Sequence, residues 1–515
     1  MRRIAVLISV AVSLLAVAAA YAQQLGTITF PTSGASVAQP AFIRGVLLMH
    51  SFEYGAAAAA FRDAQRLDPR FAMAYWGEAL TYTHQVWNQQ NADSARLALR
   101  TLAPTATARR ATAPTAREQA YLGAVDALYG DGSKAHRDTM YAEAMERLMH
   151  EYPTDDEAAI LYATALFGLS QGARDVPLYM RAGAIAQTVL RNNPQHPGAA
   201  HMIIHAFDDP THAPLGLYAA RAYSQIAPAA SHAQHMTTHI FLALGMWSDV
   251  VSQNMIAAGP DTARWRAGHF TTWLHYAYLQ QGKYEAARAL LASLAAHAPA
   301  SARGVIANLR ARQVLETGAW DSAEARALDA DVGQAGEDGY EYATFAAGFA
   351  AAKRGETARA TSYARQLAAR NDEAKRSVLA RATGGVVVPI ILEMSLRAEL
   401  LQRAGKRDSA IVLLKRAILL EDGMPPEFGP PAVVAPTHEL LGAMLLAANR
   451  ANEAAEQFAR ALALQPGRAI ALLGSARAEV ASGRGDAATR AYRTLANNWL
   501  AADVTIPALA EVRRR

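Results

Sequence analysis

One spacing limits what this chain can fold into more than any other feature. Ala57, Phe61, Ala64 and Pro69 recur at the same intervals as Ala454, Phe458, Ala461 and Pro466, and again as Ala287, Leu291, Leu294 and Pro299. Ala410, Leu414 and Ala417 repeat the first part after Gly405, and Ala488 and Tyr492 do so after Leu473-Gly474. Gly282 and Leu441-Gly442 stand before two of the other units. The physical sense is a pair of helices joined by a tight turn. Small residues let the two helices cross closely, the large residue fills the gap to the next pair, and proline ends the second helix. Such a hairpin cannot bury its own apolar face, so hairpins must stack, here about ten or more of them.

The rest of the chain agrees with helix. Alanine, leucine and arginine dominate, and these are strong helix formers. Thr115-Ala-Arg-Glu118 has the form of a capping box opening a helix through Ala120–Tyr129. Pro69, Pro153, Pro194, Pro228, Pro299 and Pro466 each follow an apolar helical pattern at the point where proline stops a helix.

Over residues 41–500 this pattern resembles the tetratricopeptide-repeat superfamily. The resemblance implies an all-α fold, a right-handed α-solenoid of stacked helical hairpins. Residues 100–200 and 300–390 match less well, and Ala103-Pro-Thr-Ala-Thr-Ala and Gly384-Gly385 read as loops. A narrower likeness lies in Leu48-Met-His-Ser-Phe-Glu-Tyr54, Ala74-Tyr-Trp-Gly-Glu78, Asp208-Asp-Pro210 and His438-Glu-Leu-Leu-Gly442, which resemble exported bacterial tetratricopeptide proteins. That likeness bears on fold and compartment and supplies no mechanism.

The expected organisation is a signal peptide over 1–22, an extended segment over 23–40 and a helical array over 41–422. A Pro/Gly-rich linker over 423–436 follows, then C-terminal repeats with a basic tail over 437–515. The signal peptide rests on Arg2-Arg3, the apolar run Ile4–Ala20 and the small-x-small site Ala20-Tyr21-Ala22. It implies a periplasmic or secreted protein with no membrane span once it is removed. The chain has no cysteine, so disulfides, thiolate ligands and cysteine nucleophiles are excluded. Its 52% hydrophobic content supplies ample core instead. The formal charge of +5 falls to +3 without Arg2 and Arg3, too mild a balance to imply nucleic acid.

Histidine departs from a plain scaffold. Six of the 15 lie within 39 residues: His201, His205, His212, His232, His235 and His239. His201-Met-Ile-Ile-His205 recurs one repeat later as His235-Met-Thr-Thr-His239; His269 lies a further 34 residues along, and His50 and His84 are 34 apart. Residues at i and i+4 share a helix face. A one-repeat offset places them level on the first helices of neighbouring hairpins, facing the concave wall. His201, His205, His235 and His239 would then converge.

Three readings stay open for that ladder. It is a site for a divalent transition metal such as Zn or Cu, since imidazole is their common ligand, with Asp208, Asp209 and His212 near enough to complete a shell. It is a groove for a peptide, protein segment or small ligand, with His269, Trp273 and Tyr276 as further polar and stacking surface. Or its imidazoles are structural. His50, Glu78 and His84, near Trp76 and Trp87, would form a second patch, with Glu78 and His84 as polar residues in an apolar first helix. Trp76 and Trp247 read as core. Among catalytic signatures, there is no His-Glu-x-x-His and no phosphate-cradling glycine loop. A binding scaffold is therefore the leading expectation, with a metal-dependent protein as the alternative.

Overall fold

A computed structural model describes residues 24–262, 265–334, 336–376, 387–426 and 428–515. The signal-peptide assignment and the Gly384-Gly385 loop lie outside these residues. Among those described the chain is all-α, with 26 α-helices and one two-residue β-ladder pairing Thr83–His84 with Gln89–Gln90. No helix among them is long and apolar enough to cross a membrane.

The chain divides into two compact units, Met1–Ile240 and Phe241–Arg515. The first holds α1 (Gln39–His50), α2 (Tyr54–Leu67), α3 (Ala72–Leu80), α4 (Ala92–Leu102), α5 (Ala106–Thr112) and α6 (Ala116–Leu128). It continues with α7 (Lys134–Glu151), α8 (Asp156–Leu169), α9 (Val176–Asn192), α10 (Pro197–Phe207), α11 (Ala213–Ile226) and most of α12 (Ser231–Ala243). The second unit runs through α13 (Trp247–Ala258), α14 (His269–Gln280), α15 (Tyr284–Ala296), α16 (Arg303–Thr317), α17 (Ala323–Gln334), α18 (Glu337–Arg354) and α19 (Thr357–Arg376). It ends with α20 (Val387–Arg403), α21 (Arg407–Asp422), α22 (Thr437–Ala447), α23 (Ala451–Leu464), α24 (Ala469–Ala481), α25 (Gly485–Asn498) and α26 (Leu509–Arg514).

The repeat pattern works as its chemistry requires. Phe61 on α2 is clamped between Gly45 on α1 and Gly77 on α3, where an added Cβ would lie 2.7 and 2.3 Å from its ring. Phe458 on α23 is held the same way by Gly442 on α22 and Gly474 on α24, at 3.0 and 2.3 Å. Pro69, Pro153, Pro194, Pro228 and Pro466 each stand two residues past the end of α2, α7, α9, α11 and α23; Pro299 stands three past α15. Thr115 caps α6, its hydroxyl accepting from the Glu118 N–H at 3.2 Å.

Each unit closes on itself. In the first, α1 packs against α10, some 150 residues on, and the N-terminal segment runs beside that contact. Thr27 N–H donates to the Gln195 carbonyl at 2.9 Å, and Ala229 N–H to the Gln24 carbonyl at 3.2 Å. Every residue of α10 is buried, as expected of a helix enclosed on all sides. In the second unit the C-terminal hairpins return to the first ones. Trp247 Nε1 donates to the Gly467 carbonyl at 3.0 Å, Ala469 N–H to Gln280 Oε1 at 2.9 Å and Asp503 N–H to the Gly282 carbonyl at 3.0 Å. Arg468, buried there, binds Glu439 through Nε at 2.6 Å and Glu316 through Nη1 at 2.7 Å. Val433 and Val434 of the Pro/Gly-rich segment sit in the core of this unit.

Candidate metal centre

His196 begins the site. Its side chain caps α10, Nδ1 accepting from the Ala199 N–H at 3.2 Å, and Pro197 follows as the first helical residue. The helix then carries His201 and His205 one turn apart on the face toward α12, which carries His232, His235 and His239. The imidazoles form a closed circle. Centroid distances are 4.8 Å for His201–His205, 5.6 Å for His205–His239 and 5.1 Å for His239–His235. The circle completes at 6.3 Å for His235–His232 and 5.1 Å for His232–His201. His201, His205, His235 and His239 are fully buried, and His232 is half-buried. One ring nitrogen from each of His201, His205 and His232 lies within 4.8 Å of the other two; the same holds for one ligand atom each of His205, Asp208 and His239.

The partners of these rings fix their tautomers. His201 Nδ1 is 2.6 Å from the His50 carbonyl, an acceptor only, so the proton is on Nδ1 and the lone pair on Nε2. His239 Nδ1 donates to Asp208 Oδ2 at 2.9 Å, and His205 Nδ1 faces the same oxygen at 3.6 Å. His235 Nδ1 lies 3.4 Å from Thr238 Oγ1, whose proton goes to the His235 carbonyl at 2.6 Å. The Nε2 atoms of His201 and His205 are buried with no protein partner. An imidazole anchored at Nδ1 by a carbonyl or carboxylate and offering Nε2 is the arrangement that surrounds metal-ligating histidines.

Electrostatics agree with neutral rings. Burial, then the neighbouring His205 and His232, holds His201 well below the ordinary histidine range. Burial also lowers His239, against the pull of Asp208. Burial raises the Asp208 carboxyl, but Arg174, His205 and His239 outweigh it and hold the group well below the usual carboxylate range. Arg174, from the loop before α9, reaches Asp208 Oδ1 at 2.5 Å and Asp209 Oδ2 at 3.0 Å. Asp208 is thus an anchor for the rings, with both oxygens engaged.

A second cluster sits one turn away. Glu157, on the first turn of α8, meets His50 Nε2 at 2.7 Å and His196 Nε2 at 3.2 Å. Burial raises Glu157, and the two histidines overcome that, leaving it well below its usual range. This cluster is a clamp rather than a second ligand set. The cap bond uses the Nδ1 lone pair of His196, so the proton is on Nε2 and faces the carboxylate.

Several expected site residues belong elsewhere. His84 is not on a helix, because α3 stops at Leu80; it stands in the short ladder with its ring stacked on Tyr54 at 4.0 Å. Glu78 is taken by Arg62 at 2.9 Å and Gln65 at 2.7 Å. His50 is core, yet its carbonyl serves the histidine circle. His212 binds Asp209 at 2.7 Å, outside the circle. His269, Trp273 and Tyr276 lie on α14 in the second unit. Tyr276 is buried there beneath Arg468, which donates to its hydroxyl at 2.9 Å, and Trp273 is buried against Gly429, so neither offers a stacking surface. His269 is exposed, its ring 5.2 Å from Trp273. Trp76 and Trp247 are core, as expected. Sequence reasoning left His232 unassigned and missed Phe52, Glu157, Arg174 and His196. His232 was within reach, being three residues before His235 on the same helix.

No family model matches the chain, and no curated protein matches it. Solved structures similar to it include a human IFIT1 dimer with PPP-AAAA, at 14% identity over 89% of this chain and 90% of that one, TM-score 0.38. Yeast Tom70 is similar at 12% identity over 93% and 94%, TM-score 0.28. The APC/C hetero-tetramer Cut9-Hcn1 is similar at 12% identity over 93% and 97%, TM-score 0.31. Likenesses this loose say nothing of ligand or partner.

Proposed function

We propose that this chain is an exported helical-repeat protein that holds a divalent transition-metal ion in its first unit, through Nε2 atoms of His201, His205, His235 and His239 with His232 at the rim. One observation carries the reading: two fully buried imidazoles, His201 and His205, each have Nδ1 turned to an acceptor and Nε2 turned to no protein group, inside a circle of five. A buried polar atom without a partner costs about 1–3 kcal/mol, and a coordinated ion removes that cost. An all-nitrogen set suits Zn²⁺, Cu²⁺ or Ni²⁺ and disfavours Mg²⁺ and Ca²⁺, which take oxygen.

Elemental analysis of the purified mature protein, after reconstitution and with or without chelator, tests this. The expected content is one ion per chain. His205→Ala with His239→Ala abolishes it, whereas His297→Ala, at an exposed site on the other unit, leaves it intact. Content well below one per chain after reconstitution sinks the reading. Export rests on the N-terminal apolar run, and a mature chain beginning at Gln23 in the extracytoplasmic fraction is its test.

A further inference from the structure

Resting on that metal centre, we propose that its Phe52 side admits, beyond the imidazoles, a small oxyanion with an apolar body, of the class of simple aryl and alkyl carboxylates.

Charge is the first ground. Imidazole ligands are neutral, so the double charge of the ion is not offset by them. The nearby carboxylates are already committed, Asp208 to Arg174 and His239, Asp209 to Arg174 and His212. An anion from outside is what such a centre attracts.

Access is the second. The Asp208 side is shut by Arg174, which lies over Tyr179 at 4.5 Å, with Phe167 packed on Tyr179 at 4.7 Å and 6.2 Å from His205. The other side is walled by aromatic rings that reach solvent. Phe52 and His232 are half-buried and Trp87 is 36% exposed. Phe52 lies 4.2 Å from His201, 5.7 Å from His205 and 5.5 Å from His232. Trp87 stands 5.3 Å from Phe52 and 6.1 Å from His232.

Backbone geometry is the third. Phe52 has φ +54°, a left-handed conformation that is an outlier for a bulky side chain and that gathers at ligand-handling sites. The α1–α2 turn holds it there, Phe52 N–H donating to the Met49 carbonyl at 3.0 Å and Glu53 N–H to the Leu48 carbonyl at 3.0 Å. Behind the ring lies a cavity of about 40 Å³, lined on its apolar side by Met49, Leu161 and Met202. An apolar body entering past Trp87 meets carbon on Phe52, while its charged end meets the ion.

The test uses the full chain loaded with Co²⁺, whose visible bands report coordination. Cobalt content is measured first, so failure of the metal centre itself is read separately as failure to load. Benzoate is expected to shift the bands and to bind roughly tenfold tighter than acetate through its ring contacts. Benzamide, the same shape without the charge, is expected to leave them unmoved. Phe52→Leu keeps an apolar cover and is expected to bring benzoate affinity down to that of acetate with cobalt content unchanged. Bands indifferent to both carboxylates at saturation overturn the anion site. A benzamide response equal to that of benzoate overturns the anion assignment, and a Phe52→Leu chain that loads cobalt and keeps its benzoate preference overturns the role of the mouth.

Discussion

A single carboxylate, Asp208, is shared among one guanidinium and two imidazoles. Removing its charge while keeping its shape should loosen the rings it orients. Asp208→Asn is expected to lower metal affinity about 10–100-fold, measured by competition with a chromogenic chelator; unchanged affinity means that the rings need no anchor. A residue far from the site shows how burial writes acid sensitivity into the fold. His275 on α14 is pushed down to about 3 by burial, against a hydrogen bond with Gln313 at 3.0 Å. An unfolded histidine titrates near 6.5, so between these values the unfolded chain takes a proton that the folded one refuses. This contribution is complete above about pH 6.5 and falls as the pH is lowered, by up to ~1.4 kcal/mol per pH unit. His275→Gln should flatten the drop in urea midpoint between pH 7 and 4.5, and parallel slopes for the two proteins would contradict the assignment. The ladder was legible in the sequence because i, i+4 spacing and one repeat length are local rules. Its distant supports were not. The His50 carbonyl and the Phe52 ring arrive from some 150 residues away, and no period connects them to His201.

At the scale of elements, the clamp of Phe61 by Gly45 and Gly77 sets how closely neighbouring hairpins approach. Gly77→Ala drives a methyl to 2.3 Å from the ring, and forced overpacking of this kind costs about 1–3 kcal/mol. Phe61→Ala empties the same gap at about 3–5 kcal/mol. Gly55→Ala is the control, because an added Cβ there meets nothing within 4 Å and should stabilise α2 by a few tenths to about 1 kcal/mol. Denaturant titration orders the three, and a Gly77→Ala chain as stable as Gly55→Ala would remove the clamp from the explanation. Helices were the readable elements, down to the prolines that end them. The Thr83–Gln90 ladder was not, because its two-residue strands are too short for any period and occupy a place where the repeat called for continued helix.

For the molecule as a whole, closure of each unit changes which parts open first. In an open array the terminal repeat touches one neighbour only and frays. Here α1 is sealed by α10, by the His50–Glu157 hydrogen bond and by the His201 bond to the His50 carbonyl. Hydrogen exchange should therefore protect α1 as strongly as α8 and α10, and metal loading should slow α1 and α10 together. Rapid exchange of Gln39–His50 against slow exchange of α8 would show that the ring opens at that seam.

A ring also counts. An open stack of hairpins can gain or lose one unit and remain a stack, so its length drifts freely as genes duplicate and delete. Once the first helix must meet the tenth, the number of hairpins becomes an integer condition, and one more or one fewer leaves a carbonyl and an imidazole facing nothing. Copy number in the first unit is then held by arithmetic, as the number of strands is in a closed barrel.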